Sequence, residues 1–226
     1  ARFPSESINA LKELKLLSAY VPASEGGMGL NVDQVAKICE ILGHYCGSTA
    51  MIYSMHMIQV ACVVHHAGKS HYFKNYIKKL VSELRVMASA TTESGVGGDL
   101  RSSILAVEID GDAFKLDKNA PVISYGVDAD DLMVTARRNA TAAKSDQVHV
   151  LLEKGQYNLE QISNWDTMGF RGTCSPGFKV TSSGHIEQIL PVPFADILSQ
   201  SMHPFAHLTW ASLWSGIAAN AVNIAR

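Results

Sequence analysis

With 226 residues the chain is long enough for one large domain or two small ones, each with its own core. Apolar residues make up 47% and charged residues 18%, the balance of a folded globular chain and not of a disordered one. A formal net charge of −2 argues against a broad nucleic-acid surface.

The first part reads as helices. Ser5 or Ser7 is placed to cap a helix carrying Ile8, Leu11 and Leu14. EGGMGL at 25–30 reads as a loop, and after it Val35, Ile38, Leu42 and Tyr45 step by three and four, with Asn31 or Asp33 as the cap. Residues 49–66 are apolar almost all round, as expected of a helix buried on most sides. Met51 to Val64 is too short an apolar run to span a bilayer and carries His56 and Gln59. His65 and His66 close that helix before Gly68, where positive charge suits the dipole. Phe73, Tyr76, Ile77, Leu80 and Leu84 mark one stripe of a fourth helix, with Lys74, Lys78 and Lys79 on its wet side. The four cysteines, Cys39, Cys46, Cys62 and Cys174, show no zinc or CxxC spacing and read as reduced, buried thiols of an intracellular protein.

At about residue 86 the pattern changes to short runs: RVMASATT, SILAVEI, AFKLD, DLMVTAR, VHVLLE, GFKV and IEQIL. Turn signals such as Asp110-Gly111-Asp112 and Ser183-Gly184 separate them, so the spacing predicts an antiparallel barrel or sandwich. After Pro204 the pattern returns to helix, with Trp210 and Trp214 one turn apart as core residues. His203 and His207, also one turn apart, read as a partly exposed pair at the helix start; a replacement base or metal ligands are the sharper alternatives, with no third ligand in sight. The chain opens on ARFPSES and closes on AANAVNIAR inside an apolar helical pattern, which predicts a fragment of a longer chain. The expected fold class is α+β: a helical domain at 1–85, a β-domain at 86–196, and the truncated start of a helical bundle at 197–226.

The run TTESGVGGDL, Thr91 to Leu100, raises the question of function. A P-loop needs Lys-Ser/Thr after its glycines, and here Asp99-Leu100 follows. A dinucleotide fingerprint needs a helix next, whereas RSSILAVEI reads as strand. Backbone N–H groups near Val96 to Gly98 and the Thr91 and Thr92 hydroxyls can still face a cofactor, or the glycines can simply form a hairpin turn.

TTESGVGGDL resembles the "TEPxxGSD" loop of acyl-CoA dehydrogenases, and three further segments match that family in order and spacing. KNAPVISYG (118–126) looks like its second flavin strand, DTMGFRGTCSPGF (166–178) like its "MGxRGxxS" segment, and VPASEGGMGL (21–30) like "PEEYGGxGL". The resemblance covers almost the whole chain. It implies helices, a β-domain and a C-terminal four-helix bundle, with FAD held along Ser89, Ala90, Thr91, Thr92, Gly97 and Gly98 and by Val122, Ile123 and Ser124. Ser124 stands where the family has a threonine near flavin N5, and Gly98 and Arg171 fall at the substrate side; no metal site is implied. Three departures stand out: Ser94 for proline, Gly98 for a serine that meets the acyl-CoA, and Val122 for the tryptophan that covers the flavin.

The family reaction takes an α-proton from an acyl thioester with a glutamate while the β-hydride goes to flavin. Alignment on Gly216 puts the first-helix position of that base near Thr209, and no Asp or Glu occurs from Ile197 to Arg226. The resemblance therefore implies an FAD-dependent dehydrogenase of acyl-CoA or acyl-carrier-protein thioesters, passing electrons to an acceptor such as an electron-transfer flavoprotein. A homodimer or homotetramer is expected, in the cytoplasm or a mitochondrial matrix, with no nucleic-acid partner and no membrane span. Two rivals keep the fold: a two-component flavin monooxygenase acting on an aromatic, and a non-catalytic scaffold.

Overall fold

Helix boundaries follow local chemistry. The computed structural model, which describes residues 2–226, opens with α1 (Ser5–Glu13), α2 (Val32–Tyr45), α3 (Gly47–His66) and α4 (His71–Glu83). Asn31 caps α2 by a reciprocal box: its side chain accepts from Gln34 N–H while the Gln34 side chain accepts from Asn31 N–H. At α1 the residue before the first turn is Pro4; Ser5 and Ser7 lie inside the helix and cap nothing. The expected stripes bury Ile8 and Leu11 on α1, and Phe73, Tyr76, Ile77 and Leu80 on α4. Leu14 stays exposed, and Leu84 ends α4 in the left-handed region.

α3 is the central helix. Against expectation it is long and apolar enough to cross a membrane by length and composition, but 72% of its apolar window is buried inside this fold. The polar residues within it find partners. His56, fully buried, donates from Nε2 to Leu17 O at 2.8 Å and accepts Met87 N–H at Nδ1 at 3.0 Å. Burial pushes this imidazole down to about 4, so it stays neutral while joining α3 to the chain on either side.

The strands are β1 (Met87–Ala90), β2 (Glu108–Asp110), β3 (Ala113–Ala120), β4 (Asp131–Arg137), β5 (Gln147–Glu153), β6 (Tyr157–Gln161) and β7 (Phe178–His185). They form two sheets, β1-β4-β5 and β2-β3-β7-β6. Pairing is antiparallel except between β1 and β4, which run parallel. β4 and β5 are buried along nearly their whole length, so the smaller sheet is the inner one, packed against α3. At the start of the central strand β4 the fully buried Asp131 accepts from Arg85 Nε at 2.6 Å and from Tyr76 OH at 2.7 Å, fastening α4 to β4.

Several expected strands differ. SILAVEI contributes only Glu108 and Ile109 to a strand, and IEQIL is a short 3-10 turn at Ile186–Gln188. Ser183-Gly184 lies within β7, paired with Lys115 and Phe114. VISYG is not a strand: β3 ends at Ala120 and the chain turns, with Tyr125 at φ 44°. β6 was not foreseen, because its burial follows an edge-strand pattern with only Tyr157 and Leu159 half-buried.

The last helix begins earlier than Pro204. α5 (Phe194–Ile197) runs through a π turn (Leu198–Met202) into α6 (His203–Ala225). Pro204 has no N–H to give, and the widened turn precedes the place where that bond is missing. α6 crosses α2 backbone to backbone at two glycines, since a Cβ on Gly43 would overlap the Leu213 carbonyl and one on Gly216 the Glu40 carbonyl. Trp214 lies half-exposed on the outer side of α6, not in the core. Of the free cysteines only Cys39 and Cys62 are buried; Cys46 is exposed and Cys174 half-buried.

Candidate functional site

The glycine loop is anchored at its base. Glu93 accepts from Ser103 Oγ at 2.6 Å and from the N–H groups of Ile104 and Leu105 at 2.9 and 2.6 Å. Lys118, buried on the inward face of β3, lies 3.8 Å from Glu93 and donates to Thr135 O at 2.7 Å. Burial lowers its ammonium to about 8, opposed by the Glu93 charge. Between these anchors Gly95, Gly97 and Gly98 take φ of +93°, +61° and +83°. Nothing lies within 4 Å of a Cβ built on Gly97 or Gly98, so this arc faces open space. Among the described residues their N–H groups have no backbone acceptor, which makes the arc a set of free donors.

The second segment, Val122 to Ser124, is held by the end of the 166–178 segment, at Thr173, Ser175 and Pro176. Ile123 N–H donates to Pro176 O at 3.1 Å and Tyr125 N–H to Thr173 O at 2.7 Å. Ser124 Oγ, largely buried, accepts from Ser175 Oγ at 2.9 Å, which leaves the Ser124 hydroxyl its own proton to donate. Thr92 Oγ1 donates to Val122 O at 2.8 Å, so the two candidate cofactor segments meet directly.

Strand alternation sorts the remaining expected residues. Ser89 and Thr91 open onto a cavity of about 150 Å³, which Gln59 of α3 and His207 and Trp210 of α6 also line. Ala90 and Ile123 are completely buried in the core, so they support the site without presenting an atom to it. Val122 is 37% exposed and covers nothing. Arg171 is turned elsewhere: its guanidinium meets Asp166 at 3.1 Å and Thr167 O at 3.2 Å on an exposed loop.

The histidines rearrange the reading of α3 and α6. His65 Nδ1 and His66 Nε2 each lie 2.8 Å from Ser201 Oγ, and His65 Nε2 lies 2.8 Å from Tyr20 OH. Burial lowers both imidazoles, and both side chains tie the end of α3 to the π turn through Ser201. His203 and His207 are exposed and stacked, ring centroids 5.5 Å apart, at the mouth of the cavity. Thr209 is fully buried, accepting from Ser54 Oγ at 2.7 Å and donating to Phe205 O at 2.9 Å. Among the described residues no carboxylate lines the cavity.

A larger groove of about 860 Å³ lies across the outer sheet, along Lys115, Asp117 and Tyr157. It is open and shares no residue with the glycine loop, so the smaller cavity is the better candidate. Sequence reasoning missed Gln59, His149, Lys118 and Asp131 as organising residues. A polar residue inside an all-apolar helix, or on the inward register of a strand, is the signal that finds them.

Residues 1–83 match the family described as acyl-CoA dehydrogenase, N-terminal domain. Cyclohex-1-ene-1-carbonyl-CoA dehydrogenase of Geobacter metallireducens is 27% identical over 227 aligned positions, covering 99% of this chain and 58% of that protein. Butyryl-CoA dehydrogenase of Megasphaera elsdenii has the same fold, with a TM-score of 0.85 at 20% identity, covering 98% of this chain and 60% of that one. So does the FMN-bound form of TdsC, a dibenzothiophene monooxygenase of Paenibacillus sp. A11-2, with a TM-score of 0.86 at 19% identity over 98% and 57%. The chain thus spans little more than half the length of these relatives. The match at residues 1–83, the dehydrogenase relatives aligned along the chain and the shared fold all support the acyl-CoA dehydrogenase family.

Proposed function

We propose that the full-length protein is a flavin-dependent oxidoreductase that dehydrogenates an acyl thioester between its α- and β-carbons. The contact of Thr92 with Val122 carries the reading, because it sets two segments that resemble flavin-binding motifs side by side, next to Thr91, which lines the cavity between α3 and α6. The donors present fit such a group. The N–H groups of Gly97 and Gly98 suit phosphate oxygens, the hydroxyls of Ser89 and Thr91 suit ring carbonyls, and the free proton of Ser124 suits a ring nitrogen. FAD is the form this reading favours. When bound, the flavin supplies the acceptor for the β-hydride.

The chain's own residues orient and enclose. Ile58, Met202 and Ala206 give the cavity apolar walls that exclude water from a short acyl group. The α-proton needs a carboxylate within hydrogen-bond reach, and α6 offers none: Thr209 is a buried hydroxyl bonded inward, with no Asp or Glu from 197 to 226. The reading places the base, the electron-transferring partner and the oligomer contacts in the rest of the full-length protein. A thioester of coenzyme A or of a carrier protein, an electron-transfer flavoprotein as acceptor, a homodimer or homotetramer and an intracellular setting all belong to the proposal. Incubation with butanoyl-CoA and an artificial electron acceptor tests it, the expected product being the 2-enoyl thioester, two hydrogens lighter.

A second reading, a monooxygenase acting on an aromatic with borrowed reduced flavin, is favoured by one observation: the cavity wall carries aromatic and apolar residues but no carboxylate. Hydroxylation of indole in the presence of reduced flavin and oxygen, with no enoyl product from thioesters, would establish it instead.

A further inference from the structure

Gln59 sits in the middle of α3, 3% exposed, with its side chain on the cavity wall. Its Oε1 lies 3.0 Å from Nε2 of His149, a fully buried imidazole. An amide oxygen can only accept, so His149 is the donor and the Gln59 amide is held in one orientation. That leaves Gln59 Nε2 free to donate into the cavity that the side chain lines. Trp210, across the cavity on α6, goes further: its Nε1–H is fully buried and unpartnered. Indole nitrogen can only donate. Two donors without acceptors therefore meet one cavity of about 150 Å³, whose other walls include Met55, Ile58 and Ala206. A buried donor is stable only when something accepts from it. The volume admits roughly five water-sized groups, too few for a long chain.

We infer that the molecule buried in this cavity carries an acceptor oxygen, taken by Gln59 Nε2 and Trp210 Nε1. Resting on the dehydrogenase reading above, this makes the substrate a short, oxygen-bearing acyl thioester and not a plain hydrocarbon one. The same chemistry has a second source, the carbonyl edge of the flavin, because Ser89 and Thr91 line the same space.

The test uses the full-length, flavin-loaded protein with the flavin reduced beforehand, so that thioesters bind without reacting. Pentanoyl-CoA is titrated calorimetrically against 3-methoxypropanoyl-CoA, in which an ether oxygen replaces the methylene at position four. The ether is expected to bind about two- to tenfold more tightly, the worth of one net hydrogen bond. Trp210→Phe and, separately, Gln59→Met should each bring that ratio toward one while retaining flavin; either variant suffices if the other fails to fold. A ratio near one in the parent, with flavin released from both variants, gives the donors to the flavin and overturns the substrate class. A ratio near one with flavin held throughout overturns the inference altogether. A protein that binds neither thioester sinks the dehydrogenase reading alone, and benzofuran against indene then reads the acceptor claim by the same ratio.

Discussion

Thr92 Oγ1 and the Val122 carbonyl oxygen lie 2.8 Å apart although thirty positions separate them in the chain. The bond fixes the distance between the glycine loop and the turn that follows β3, the two places proposed to hold a flavin. Thr92→Val keeps the shape and removes the donor. Flavin affinity should fall roughly two- to tenfold, the worth of one net hydrogen bond, with the fold intact. Flavin fluorescence titration against the parent checks it, alongside far-UV circular dichroism.

Gly98 is the second test of the loop, because its φ of +83° suits no branched side chain. Space itself is not limiting, since nothing lies within 4 Å of a Cβ there. Gly98→Val is expected to lose about 1–2 kcal/mol through backbone strain and to weaken flavin binding by blocking the free N–H arc. Chemical unfolding and flavin titration measure the two effects separately.

Much of this arrangement was legible in the sequence, though unevenly. The stripes of α1 and α4 and the Asn31 cap follow from periodicity and side-chain chemistry within one helical turn, whereas on α2 the buried face is Val35, Ala36, Cys39 and Gly43, with Ile38 and Leu42 half-buried and Tyr45 exposed. The glycine loop was legible as a loop, but its anchors were not: Glu93 meets Lys118 across sequence positions that only the sheet brings together. β6 and the turn at Val122 to Ser124 escaped for a related reason. Their conformation is set by pairing with β7 and by bonds to Thr173 and Pro176, not by their own residues. Trp214 and Cys46 were expected in the core by residue type, yet they lie on faces that no other described element covers.

Two buried histidines make stability depend on acid. Burial holds His56 down to about 4 and His149 to about 3, from an ordinary value of 6.5. An unfolded chain takes up both protons as pH falls through 6.5, and the folded chain does not until near 4. Stability is therefore full above that ordinary value and declines on acidification, by about 1.4 kcal/mol per pH unit for each group. Urea midpoints between pH 7 and pH 4.5 should show the decline (a flat profile would remove both groups from the account).

Asp131 ties the helical part to the inner sheet, accepting from Arg85 and Tyr76 with no exposure of its own. Asp131→Ala leaves the Arg85 guanidinium, only 10% exposed, without that partner. A loss of about 3–5 kcal/mol is expected, as for other broken buried ion pairs. Differential scanning calorimetry should show the drop; a loss below 1 kcal/mol would mean that Glu83 and water take over.

The central claim is that this site holds a flavin that accepts hydride from an acyl thioester. Its most direct test is the visible spectrum of the purified full-length protein, recorded before and after anaerobic addition of short acyl-CoA thioesters. The account predicts a bound flavin band that bleaches as the thioester is added. A flavin band unmoved by every thioester, or a colourless protein that takes up no added FAD, would contradict it.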